Sequence, residues 1–195
     1  ILISEIAWMG TNADANQEWI EIKNISGGDL DLSNWQLIDN DSQIKFIFPV
    51  NSKIKSNSFY LLGRKEEIAP GIKSNFFYEG NLRNSDEALK LFDSGCNLID
   101  GVEAKPDWPA GQNKKGAKRT MERNLSDLSW HDSVEIEGTP GRANSLPKLA
   151  DKIFLTPAQI DSGESNASGN SQTSSSTNIP NQSNSNPPSS PPQIC

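Results

Sequence analysis

The chain has 195 residues, with 18 Lys and Arg against 25 Asp and Glu, a net charge of −7. That length fits one domain with an appendage or two small domains, and the acidic balance disfavours nucleic acid or an anionic membrane as partner of the whole chain. No apolar run approaches the roughly 18–20 residues that span a bilayer, and two cysteines, Cys96 and Cys195, are too few for a disulfide framework or a Cys-only metal site.

Ile1 to Trp8 opens the chain as an apolar run with one Glu. Glu18 to Lys23 then alternates, with Ile20 and Ile22 on one face and Trp19 and Glu21 on the other. Trp35 to Asp39, Ile44 to Phe48, Phe59 to Leu62, Glu87 to Phe92 and Leu98 to Val102 follow as further short strand signals. Gly27-Gly28, Pro49, Pro70-Gly71, Gly80, Gly95, Pro109 and Gly111 punctuate them. Helical periodicity is absent, so the pattern predicts an all-β sandwich or barrel over residues 1–145. Thr139 to Ser145 reads as a terminating turn. Residues 146–160 read as a linker, with a short strand around Ile153 to Leu155 as the alternative. From Asp161 to the end, 29 of 35 residues are Ser, Asn, Pro, Gln, Thr or Gly, too little apolar surface to offset ordering entropy. Residues 161–195 are therefore expected to be a disordered Ser/Asn/Pro-rich spacer. A start at Ile1 without a basic leader fits a mature exported protein or an excised segment.

An ordered set of motifs runs through the strands: Ile3-Ser-Glu-Ile-Ala-Trp-Met-Gly10, Glu18-Trp-Ile-Glu-Ile22, Asp31-Leu-Ser-Asn-Trp35, Phe59-Tyr-Leu-Leu-Gly-Arg64, Asn84-Ser-Asp-Glu-Ala-Leu-Lys-Leu91, Trp108-Pro-Ala-Gly111, Thr120-Met-Glu-Arg123 and Gly138-Thr-Pro-Gly141. This set resembles the lamin-tail domain in its bacterial form, over residues 1–145. The resemblance implies an immunoglobulin-like β-sandwich. It also implies a non-catalytic module of secreted or surface proteins, sometimes beside hydrolase domains. The family pattern carries no catalytic residues. Asp86 and Cys96 depart from it, each in a turn where Gly or Asn is more frequent.

Asn12, Asp14, Asn16 and Glu18 alternate oxygen-bearing side chains, as a Ca²⁺ loop does, but Asn and Asp also suit an ordinary solvated turn. Asp39-Asn-Asp-Ser42 and Asp29-Leu-Asp31 are shorter versions of the same pattern. Lys105 to Arg123 holds six basic residues, and Lys114, Lys115, Lys118 and Arg119 beside Trp108 could grip an anionic polymer; a solvated loop is the plainer reading. Trp19 and Trp108 are the candidates for an exposed aromatic surface that binds glycan, and Trp35 is read as core. Glu5, Glu18 and Glu21 could suggest a carboxylate pair for glycoside hydrolysis, but Glu at sheet edges, paired with Arg or Lys or guarding against edge pairing, is the plainer reading. His131 sits between Trp130 and Asp132, and neighbours on a strand point to opposite faces, so no catalytic triad is built there. Cys96 and Cys195 could pair, within one chain or between chains; a spacer of this composition works against a fixed intramolecular bridge, and a free thiol or an effect of truncation is the plainer reading.

These readings combine into a non-enzymatic interaction or structural module, secreted or at the cell surface, with no cofactor. Its expected partner is protein or a cell-surface polymer. The alternative is an accessory module that binds glycan or nucleic acid for a hydrolase in the same polypeptide.

Overall fold

The computed structural model describes residues 1–146 and 194–195. The expected linker and spacer, apart from Leu146, Ile194 and Cys195, lie outside the described residues. Fourteen strands and no helix are present among those residues: β1 (Leu2–Ala7), β2 (Trp19–Lys23), β3 (Leu30–Asp31), β4 (Gln36–Asp39), β5 (Lys45–Ile47), β6 (Lys53–Ile54), β7 (Phe59–Gly63), β8 (Glu67–Ala69), β9 (Ile72–Lys73), β10 (Phe76–Phe77), β11 (Ser85–Phe92), β12 (Leu98–Asp107), β13 (Met121–Arg123) and β14 (Trp130–Asp132).

Two sheets face each other. One has the order β10-β7-β2-β1-β13-β14, the other β12-β11-β4-β5. Ile3, Ile6, Ile20, Ile22, Leu62 and Met121 of the first pack against Leu37, Leu89, Leu91, Val102 and Ala104 of the second. The alternation of Ile20 and Ile22 gives this face directly. Ile3 and Ile6 share it although they lie three apart, because the β1–β2 register shifts between Ile3 and Glu5. The fold is the all-β, immunoglobulin-like sandwich that the motifs imply.

The outer face of the six-stranded sheet is where structure and sequence part. Ala7, Trp19 and Leu61 on that face are covered by Ile68 and Ile72 of the β8–β9 hairpin. Beside them, Glu5, Glu21 and Glu122 are opposite one another on β1, β2 and β13, and all three are buried. The segment from Gly138 to Ser145 lies over these carboxylates and donates to them. Thr139 N–H and hydroxyl bond Glu5 Oε1 and Oε2, both at 2.8 Å; Gly141 N–H bonds Glu21 Oε2 at 2.8 Å; Ser145 N–H bonds Glu122 Oε2 at 2.8 Å. A Cβ on Gly138, at φ +83°, would sit 2.1 Å from Glu5 Oε1, so only glycine fits there. Glu5 and Glu21 are thus not edge carboxylates paired with cations, as the sequence suggested. They occupy central strands and are satisfied by hydroxyls and backbone amides.

The two cysteines also correct the sequence reading. Cys96 and Cys195 form a disulfide with Cα atoms 5.3 Å apart, so neither is free. Cys195 N–H also donates to Gln36 Oε1 at 3.1 Å. Cys96 takes φ 61° in the β11–β12 turn, and Asp86 takes φ 51°. Both departures from the family pattern therefore fall at left-handed positions that favour Gly or Asn. Cys96 accepts an unfavourable backbone conformation and supplies a cross-link.

Candidate functional site

Four connections meet at one end of the sandwich. They are the β1–β2 loop, the β7–β8 connection that carries Arg64, the chain between β10 and β11, and the chain between β12 and β13. They enclose a polar cleft of about 440 Å³. Trp8, Met9, Ala15 and Leu82 contribute apolar wall, and the rest of the lining is amide and charge: Asn16, Asn81, Asn84 and Asn113, with Glu18, Arg64, Arg83 and Lys118.

Trp8 is fixed by its indole N–H, which donates to Ala110 O at 3.0 Å. Gly111 follows at φ +93°, and a Cβ there would meet Trp8 Nε1 at 2.5 Å. The Trp108-Pro-Ala-Gly111 motif is thus the packing partner of Trp8. Trp108 donates its own N–H to Arg83 O at 2.8 Å, anchoring the chain that carries Arg83.

Glu18 is the cleft's one carboxylate. Its side chain is 8 % exposed, with Oε1 at 3.5 Å from Arg64 Nη1 and Oε2 accepting Leu82 N–H at 3.0 Å. Burial pushes its pKa up to about 7, against the pull of the Leu82 amide, Arg64 and Lys118. Lys118 Nζ donates to Met9 O at 2.6 Å, and Arg83 pairs with Asp41. Two guanidiniums and an ammonium line the cleft against one carboxylate; Arg64 pairs with Glu18 and Arg83 with Asp41, which leaves Lys118 as the lining cation outside any ion pair among the described residues. Convergent amides and cations in a small concavity suit a polar ligand that carries carboxylate or phosphate groups.

The structure distributes the residues predicted from sequence unevenly. Asn16, Glu18 and Lys118 come together in this cleft. Asp14 turns instead to Lys65, and its Oδ1 accepts Asn16 N–H at 2.8 Å. Asn12 accepts Lys118 N–H at 3.3 Å and donates its own N–H to Glu137 at 2.6 Å. Asn12, Asp14 and Glu18 thus answer different neighbours. Lys114 and Lys115 are exposed, with no ion pair among the described residues. Arg119 turns to Ser133 O at 2.8 Å and to Val134 O, away from any outward basic patch. Trp19 is 0 % exposed and Trp108 is 6 % exposed. Neither offers the surface aromatic face expected of it, because the β8–β9 hairpin covers Trp19, while Trp108 is packed in the core and bonded to Arg83 O.

Arg64, Arg83, Asn81 and Asn84 were not singled out from sequence. Gly80-Asn-Leu-Arg-Asn-Ser-Asp86 is dense in side-chain amides for a simple turn, and that was the available signal. Nothing local links it to Glu18, 64 residues from Leu82.

A comparison with curated proteins finds no match to this chain. The family model of the Lamin Tail Domain matches residues 1–106, more than half of the 195. The match ends inside β12, and β13 then pairs with β1 to complete the central sheet. Motif order, sandwich topology and this match agree, and the chain belongs to the lamin tail domain family.

Proposed function

We propose that the chain is a non-catalytic interaction module of an exported bacterial protein, which recognises an anionic group on a partner protein or cell-surface polymer. The observation that carries this reading is the cationic, amide-lined cleft around Glu18, Arg64, Arg83 and Lys118. Membership of a non-enzymatic interaction family supports binding over catalysis. In the cleft, Glu18 is already engaged by Arg64 and the Leu82 amide. The Cys96–Cys195 bridge supports export, because such bonds persist in oxidising compartments and are rare in the cytosol.

Retention of the chain on immobilised polyglutamate and polygalacturonate tests the reading. Binding is expected at low salt, falling as ionic strength rises, and lost in an Arg64→Gln/Lys118→Gln double variant. Equal retention of parent and variant would count against the cleft. An accessory role beside a hydrolase is the second reading. The four asparagines favour it, because side-chain amides suit sugar hydroxyls. It predicts binding to neutral polysaccharide that salt does not weaken.

A further inference from the structure

We propose that Asp39, Asp41 and Glu87 form a binding site for a divalent alkaline-earth cation, with Ca²⁺ the best match. Asp39 ends β4 and Asp41 lies in the turn to β5. Glu87 comes from β11, the neighbouring strand, where Leu89 is registered opposite Asp39. One carboxylate oxygen from each residue lies within 4.8 Å of the others.

The three carboxylates are not equally provided for. Glu87 Oε1 accepts Ala88 N–H at 2.9 Å and Asn40 N–H at 3.2 Å, and its Oε2 accepts Arg83 N–H at 3.3 Å. Asp41 accepts from Gln43 Nε2 at 2.8 Å and pairs with Arg83. Asp39 is 4 % exposed, and neither of its carboxylate oxygens, both closed to solvent, meets a donor at hydrogen-bonding geometry; burial, with Glu87 and Asp41 beside it, pushes its pKa up to about 6 against the pull of the Ile44 N–H. A buried carboxylate without a partner is rare, because desolvation of the ion is not repaid. Here it faces two more carboxylates, with Arg83 as the single cation bonded to the group. Backbone and side-chain amides hold two of the ligands in place, and the third carboxylate faces them without a cation of its own.

The donor set is oxygen alone, without His or Cys, which selects hard cations. Ca²⁺ accepts six to eight oxygens in flexible geometry and takes carboxylates in one- or two-oxygen contact, with water completing the shell. Mg²⁺ demands a near-ideal octahedron that three carboxylates from a hairpin and a neighbouring strand do not impose.

Calorimetric titration of the whole chain with CaCl2, paired with thermal melts, tests the site. The expected result is saturable binding with a Kd on the order of 10⁻⁴–10⁻³ M and a Ca²⁺-dependent rise in Tm. Asp39→Asn and Glu87→Gln should each weaken binding at least about tenfold. Asp39→Asn removes a charge that has no partner, so without Ca²⁺ it should melt no lower than the parent, which separates loss of binding from loss of fold. Asp14→Asn, in the other Asp-bearing loop, should bind as the parent does. Absence of heat and of a Tm shift up to about 10 mM Ca²⁺, well above that Kd range, would overturn the proposal. Binding that survives Asp39→Asn but is lost in Asp14→Asn would also overturn it, by placing the ion in the β1–β2 loop.

Discussion

Glu5 and Thr139 are 134 residues apart and share two hydrogen bonds, from the Thr139 backbone N–H and hydroxyl to the two carboxylate oxygens of Glu5, both at 2.8 Å. Through them the closing turn of the domain is fastened to its central strand. The Thr139 hydroxyl also lies 3.0 Å from Glu122 Oε1. Thr139→Val keeps the shape and removes the hydroxyl. It is expected to lower stability by about 1–3 kcal/mol, the cost of leaving buried acceptors unsatisfied. Gly138→Ala should cost at least as much, because its Cβ would collide with Glu5 Oε1. Urea denaturation of both variants checks this; parental midpoints would show that the turn is not fastened there.

The buried carboxylates set a pH dependence. Burial pushes Glu18 and Glu21 each from 4.5 up to about 7, and pushes Glu5 well above its usual range. The folded state then holds more protons than the unfolded chain between about 4.5 and about 7, so stability falls as pH rises through that window. Thermal melts should give a higher Tm near about pH 5 than near about pH 8. Glu21→Gln should narrow the gap, since it removes one of the titrating groups. A Tm that rises across this window would contradict the placement of these groups.

Asp100 ties the two sheets together. Its Oδ2 accepts Ile3 N–H at 2.8 Å, and its Oδ1 lies 3.2 Å from Arg123 Nη2, whose guanidinium is 4.8 Å from the Trp130 ring. Both side chains of the pair are largely buried. Asp100→Ala leaves Arg123 and Ile3 N–H without their acceptor and should cost about 3–5 kcal/mol. Asp100→Asn keeps an acceptor for Ile3 and should cost less. Denaturation midpoints in that order support the bridge, and a neutral Asp100→Ala would refute it.

Cys96 holds a left-handed backbone position for the sake of its bond to Cys195. Thiol titration of the oxidised, denatured chain should find no free sulfhydryl. In a Cys195→Ser background, where the bridge is absent, Cys96→Gly should stabilise the domain by about 1–2 kcal/mol, because glycine adopts φ 61° without penalty. Destabilisation by that change would contradict the backbone assignment.

Much of the sandwich was legible because the signals are local. Ile20 and Ile22 alternate with Trp19 and Glu21, and the structure puts the two isoleucines in the core between the sheets. The other half of that alternation misled. Trp19 and Glu21 point away from the core between the sheets, which in a two-layer protein means water, yet the β8–β9 hairpin and the Gly138–Ser145 segment cover them. No property of Glu18 to Lys23 announces a cover supplied by residues 45 to 120 positions later. The cleft was half legible for the same reason. Asn16, Glu18 and Lys118 stood out by type and spacing, whereas Arg64 and Arg83 acquire meaning only when the loops converge on Glu18. The disulfide was missed because composition between Cys96 and Cys195 says nothing of where the end of the chain comes to rest.

Amide NMR tests recognition of an anionic partner by the Glu18–Lys118 cleft most directly. In a titration of the ¹⁵N-labelled chain with a short polyglutamate peptide, shifts should concentrate on Asn16, Leu82, Arg83, Asn84, Asn113 and Lys118 and saturate at low salt. Shifts confined to the exposed Lys114–Lys115 turn, or none at all, would contradict it.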